Sequence, residues 1–453
     1  MDSEQFEKIP LNRLILKCAL PSMISMAFGS LYMVVDGIFV GKFIGEDALA
    51  AVNLIMPYLM LFFAIPNLIA TGASAKIGIL LGEKKREQAS RVFSFTLLII
   101  ELIAIIACIL SGLFSGPIIR LVCFNATKEA IQNASAYFLV NALFFPFMCV
   151  FFATDNYLRV CGKEKTSMFL SVLTQILNIL LDFIFVVLLR LGVWSTALAS
   201  CISISLGSVI SAMSFRNKKL DLYFAKPKIA LKEFIIIVYN GSSEFLSGIS
   251  FSIMAVVQNI LLLKYGGITA VAAMSILMYI DSIVGGLLFG LCDSLQPALS
   301  YCFGAGKHKR VTGIEKRLWC YAFLISVCSF LFLRFLGEHL ILLMIKDSDL
   351  QLFDTSKNAM HIFAFSYFVG WVDLCLSSFF TALECPKESL ILSVSGALLI
   401  PTITMLLLCR FFALDGIWYS SILSGILSAG LAVFLLQKTP KLRFFFSGKT
   451  SFV

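Results

Sequence analysis

Apolar runs long enough to cross a bilayer follow one another from about residue 18 to residue 437, and no polar stretch between them has room for a water-soluble domain. A helix needs roughly 20 residues to span the hydrocarbon layer. A chain with this many such runs cannot hide them in one aqueous core. Composition agrees: 59% of the 453 residues are hydrophobic, 14% are charged, and the mean hydropathy is +0.93. A soluble domain is about 45–50% apolar. The runs are continuous rather than alternating, and lipid admits only structures that satisfy their own backbone, so helices are predicted and barrel strands excluded. Twelve spans are expected, near 18–41, 51–81, 91–114, 133–158, 167–189, 193–214, 234–264, 270–303, 318–343, 358–384, 389–409 and 416–437. The polar opening from Met1 to Lys17 carries acids and reads as no secretory signal.

Basic residues orient the spans, because Lys and Arg stay on the cytoplasmic side of short loops. With the N-terminus inside, three quarters of the 36 Lys and Arg fall in inward segments, so both termini are expected in the cytoplasm. The net charge of +9 is then accounted for by topology, and no nucleic-acid partner is expected. The 13 cysteines show no Cys-x-x-Cys and read as small buried hydrophobes. Cys123 and Cys409 fall near the outer face, which leaves a disulfide between them open. His308, His339 and His361 are too dispersed for a metal site.

Compared with itself, the chain matches at one offset. Adding 222 superposes Lys42 on Lys264, Gly45 on Gly267, Ala48 on Ala270, Ala51 on Ala273, Gly82 on Gly304 and Lys165 on Lys387. Chance likeness between apolar segments does not hold one register through loops. Six spans per half start both halves on the same side, which makes a parallel repeat. The predicted fold is an all-α integral membrane protein, with twelve transmembrane helices in two parallel-repeat six-helix bundles around a central cleft. The expected parts are residues 1–215 as one bundle, 216–232 as a basic cytoplasmic linker, 233–437 as the second bundle and 438–453 as a cytoplasmic tail.

The repeat also exposes what one half lacks. Asp36 aligns with Gln258 and Asp182 with Thr404, so two intramembrane carboxylates of the first half are neutral in the second. A carboxylate in hydrocarbon must be paired, protonated or cation-bound. No Lys or Arg lies near the middle of any span. Gln175, Asn178 and Asp182 share one helical face by spacing, as do Ser25, Gly29, Tyr32 and Asp36. Asp36, Asn178 and Asp182 are therefore candidates to bind H⁺ or a hard cation such as Na⁺, and Gln175 and Gln258 are candidates to line a substrate cleft. Glu244, Asp155 and Asp373 are further candidates to line a cleft, whereas Glu101, Asp281 and Asp293 are weaker ones. An acid-rich, base-free interior suits organic cations against aromatic and Met walls. In-span prolines, among them Pro21, Pro57, Pro66, Pro146, Pro297 and Pro401, supply kinks.

Asp36-Gly37-Ile38-Phe39-Val40-Gly41 with Ala48-Leu49-Ala50-Ala51, the basic loop after Gly82, Leu158-Arg159-Val160-Cys161-Gly162, and Asn178-Ile179-Leu180-Leu181-Asp182 resemble the multidrug and toxic compound extrusion family. Gly241-Ser242-Ser243-Glu244-Phe245 and Gln296-Pro297-Ala298-Leu299-Ser300-Tyr301 are similar to its MepA-like branch. The resemblance implies an antiporter taking H⁺ or Na⁺ inward against a drug-like, often cationic, compound, in a bacterial inner membrane. It maps the family's span-one acid onto Asp36 and its span-five Asn and Asp onto Asn178 and Asp182. It implies small organic substrates, contact with membrane lipids, a monomer, and no cofactor beyond the coupling ion. The alternative within the same superfamily is a lipid-linked oligosaccharide flippase, whose pyrophosphate cargo calls for cleft Arg or Lys that the spans lack. No nucleophile, base and oxyanion set stands out, so no enzyme is expected.

Overall fold

The computed structural model describes residues 2–122, 128–216, 220–345, 350–442 and 445. Among these there is no strand, and eleven helices are long and apolar enough to cross a membrane. They are α1 (Leu11–Ile44), α2 (Glu46–Gly82), α3 (Arg86–Leu113), α4 (Lys128–Val160), α5 (Glu164–Leu188), α6 (Trp194–Ser214), α7 (Leu231–Gly304), α8 (His308–Met344), α9 (Leu350–Ala382), α10 (Pro386–Phe412) and α11 (Asp415–Lys438).

Eleven is one fewer than the sequence predicts, and the reason is local. α7 runs for 74 residues, which at 1.5 Å each would reach about 110 Å, several times the hydrocarbon thickness. Gly267 breaks it, with φ 64° and ψ −158°. The seventh and eighth expected spans lie on either side of that break. A side chain in such a conformation costs about 1–3 kcal/mol, which glycine avoids. Gly267→Val is expected to destabilise the protein by that amount, read as a lower midpoint of thermal unfolding in detergent. Gly285→Ala, at a helical position with open space where the Cβ would sit, should not.

The repeat is visible in the backbone. Among the described residues, the positive-φ positions pair as Gly45 with Gly267, Lys84 with Gly306, Gly162 with Glu384, and Arg190 with Ala413. Helix ends repeat too. Gly82 and Gly304 close α2 and α7, and Arg86 and His308 open α3 and α8. The basic stretch from Lys307 to Arg317, between the expected spans 270–303 and 318–343, is helical from His308 onward, where it forms the first turns of α8. Cys123 lies outside the described residues, and Cys409 is a buried free thiol.

The chain forms two compact units, Met1–Lys8 with Ile24–Gly241, and Ile9–Met23 with Ser242–Val453. In the first, α4 is central and packs on α2, α3 and α6. Lipid is as apolar as the helices, so close packing and polar bonds hold them together. Thr96 Oγ1 and Tyr157 OH meet at 2.9 Å between α3 and α4, and Thr154 Oγ1 and Ser211 Oγ at 2.7 Å between α4 and α6. Beyond α6, the extended stretch around Tyr223 is pinned along α3. Its Ala225 N–H donates to Ser94 Oγ at 2.9 Å, and Arg86 donates to the Leu220 and Asp221 carbonyls at 2.6 and 3.0 Å. In the second unit α9 takes the place of α4, packing on α8 and α11.

Candidate functional site

Asp36 and Asp182, more than a hundred residues apart in sequence, come within hydrogen-bonding reach of each other. α1 presents Tyr32 and Asp36 one turn apart, and α5 presents Gln175, Asn178 and Asp182 down one face, as the spacing predicts. A wider turn follows each acid along its helix. α1 becomes π-helical over Val40–Ile44, and α5 does so over Phe183–Leu188, directly after Asp182. These two segments pack on each other. Such turns loosen the helical ladder and are frequent at functional positions.

Asn178 fixes the geometry of Asp182. In the amide orientation that satisfies both of its ends, Nδ2 donates to Asp182 Oδ2 at 2.9 Å, and Oδ1 accepts from Ser200 Oγ at 2.7 Å and from the Ser200 N–H at 2.9 Å. Ser200 of α6 also lies 3.3 Å from Tyr32 OH, which closes a ring through α1, α5 and α6. α4 adds the buried Tyr137 within electrostatic reach of Asp36, and Asn141, whose Nδ2 donates to the Tyr137 carbonyl at 2.9 Å. Asp182 is 0% exposed, and neither its Oδ1 nor that of Asp36 has a hydrogen-bond partner. Among the described residues, no Lys or Arg forms an ion pair with either acid.

Two carboxyls in contact without a base require something positive between them. The donors on hand are carboxylate, amide and hydroxyl oxygens, which match a proton or a small hard cation rather than a soft metal. Among the described residues no cluster of three or more His, Cys, Asp and Glu could hold a metal.

The other sequence candidates are placed differently. Gln175 lies farther along the α5 face, its Nε2 3.5 Å from where a Cβ on Gly29 would sit and its Oε1 unpartnered. Asp155 is engaged at the end of α4, where Arg159 binds its Oδ2 at 2.7 Å and Ser167 Oγ donates to its Oδ1. Glu244, Gln258 and Asp373 belong to the second unit. Glu244 is within electrostatic reach of Asp293. Gln258 Nε2 lies 3.5 Å from Met274 Sδ. Asp373 packs against Gly396, with its Oδ1 buried and unpartnered. Asp281 accepts from Tyr367 OH at 2.8 Å. At the position that matches Asp182, Thr404 donates to the carbonyls of its own helix, so the second unit builds no acid pair there. Ser200 and Tyr137 are residues beside the acids that sequence reasoning missed. Nothing along α6 distinguishes Ser200 from Ser195 or Ser203.

Comparison with known proteins agrees with this architecture. The MatE family model matches residues 21–184 and again 245–407, once per half. The multidrug export protein MepA of Staphylococcus haemolyticus strain JCSC1435 is 24% identical over 443 residues, covering 95% of this chain and 94% of that protein. MepA of Staphylococcus aureus strain MSSA476 is 24% identical over 439 residues, covering 95% of each. Among solved structures, a MATE protein in complex with MaL6 superposes with a TM-score of 0.90 at 21% identity, over 98% of this chain and 99% of the other. An outward-facing multidrug resistance MATE transporter superposes with a TM-score of 0.90 at 20% identity and the same coverage.

Proposed function

The chain belongs to the MatE family, a family of multi-pass membrane transporters and not enzymes, and from that premise we propose that it exports drug-like, cationic organic compounds in exchange for H⁺ or Na⁺ by alternating access. The observation that carries this reading is the contact between Asp36 and Asp182, base-free and with an unpartnered oxygen on each. Antiport needs two ligands that exclude each other. A coupling cation and a cationic compound both draw on the same negative charge, so the arrival of one discharges the other. Each positive charge moved down the membrane potential supplies about 2.3 kcal/mol per 100 mV. The π-helical turns beside the acids give α1 and α5 a place to bend as the occupant changes. The protein is further proposed to sit in a bacterial cytoplasmic membrane with both termini inside, as the charge bias favours, and to work as a monomer without a cofactor.

The test is ethidium transport in proteoliposomes, with proton and Na⁺ gradients imposed one at a time. Movement driven by either gradient, and none without a gradient, is the expected result. Ethidium movement indifferent to both gradients, or none under any, overturns the reading. Asn178→Ala removes the hydrogen bonds that Asn178 makes to Asp182 Oδ2 and to Ser200. Lost hydrogen bonds to a charged group cost about 1.5–3 kcal/mol, so the gradient-driven rate should fall by about tenfold or more while membrane insertion, followed by a fluorescent C-terminal tag, is unchanged.

A further inference from the structure

Glu315 is 0% exposed although its neighbours Lys316 and Arg317 are exposed. It lies seven residues into α8, about 10 Å along the helix. Its Oε1 accepts from Trp319 Nε1 at 2.7 Å, and its Oε2 has no hydrogen-bond partner. Arg317 is directed elsewhere, donating to Asn12 Oδ1 at 2.8 Å and to the Gly313 carbonyl at 3.2 Å. From α9, Cys375 is within electrostatic reach of Glu315, and Cys375 Sγ lies 3.4 Å from Cys292 Sγ of α7. Trp319 is itself packed among rings, with Trp371 of α9 and Phe445 6.4 and 5.7 Å from it, ring to ring. Among the described residues no ion pair reaches Glu315.

The repeat sharpens the observation. The offset of 222 puts Glu315 on Phe93, a buried ring packed on Tyr157 and Phe215. A core aromatic of one unit is thus a buried acid in the other. A fixed structural role is filled as well by Gln, whose amide oxygen accepts from Trp319 without a charge to desolvate. What a carboxyl adds at that position over Gln is the ability to take up and release a proton.

We infer that Glu315 is a second proton site, separate from the Asp36 and Asp182 pair, which takes one H⁺ on Oε2 and gives it up during the transport cycle. An O–H bond forms and breaks, the carboxylate becomes a neutral acid and back, and no electrons are exchanged. The inference rests on the transporter reading but not on the coupling role of Asp36 and Asp182.

The experiment is infrared difference spectroscopy between alkaline and acid pH on the purified protein. It compares wild type, Glu315→Gln, Glu315→Phe (the residue of the matching position) and the Asp36→Asn/Asp182→Asn double variant. One carboxyl C=O band should be present in wild type and the double variant and absent from both Glu315 variants. Ethidium efflux by Glu315→Gln should also lose part of its dependence on pH. Persistence of that same band in Glu315→Gln overturns the proposal, and so does an unchanged pH profile of efflux. Failure of the double variant to alter transport strikes the Asp36 and Asp182 reading alone.

Discussion

Asp36→Asn and Asp182→Asn should each reduce gradient-driven efflux by about 100-fold, near the upper end of what a coupling free energy of 1–3 kcal/mol supplies. Asn keeps the size and the hydrogen-bonding ends of the side chain, so the contact between α1 and α5 persists while the charge that holds the cation is gone. The measurement is the initial rate of ethidium efflux in proteoliposomes at matched protein content. Thr404→Val serves as the control. Thr404 stands where the repeat places the match of Asp182, and its hydroxyl is spent on the Ile400 and Pro401 carbonyls of its own helix, so its loss should leave the rate within about twofold, as expected for an isolated neutral hydrogen bond of about 0.5 kcal/mol. Asp variants that insert normally and export at the wild-type rate would sink the coupling assignment.

Gly241→Leu should destabilise the protein by about 3 kcal/mol or more, the upper range for overpacking. A Cβ at Gly241 would stand 1.8 Å from the Leu68 carbonyl oxygen, and one at Gly72 would stand 2.0 Å from the Ile237 carbonyl oxygen. The two glycines let α2 and the start of α7 touch backbone to backbone, and a carbonyl cannot swing aside as a side chain can. The helices would have to part, surrendering the close packing that substitutes in lipid for a hydrophobic drive. Thermal unfolding in detergent reads this as a lower midpoint. Gly248→Ala, with nothing within 4 Å of the added atom, should leave the midpoint in place.

Determined by the sequence alone were the membrane class, the positions of the spans, the repeat, and Asp36, Asn178 and Asp182 as a set. All of these are read along one dimension: a bilayer fixes how long an apolar run must be, a duplicated chain keeps its register, and helical periodicity puts Asn178 and Asp182 on one face. Only the tertiary structure decided which faces meet. It joined Asp36 to Asp182, brought Ser200 between Asn178 and Tyr32, committed Asp155 to Arg159, and turned Glu315 inward from a stretch rich in Lys and Arg. The reason lies in the solvent. In water a helix shows its buried face by a stripe of apolar residues, but in lipid the outer face is as apolar as the packed one, so the stripe fades and the rotation of each helix about its axis is left to side-chain packing in three dimensions.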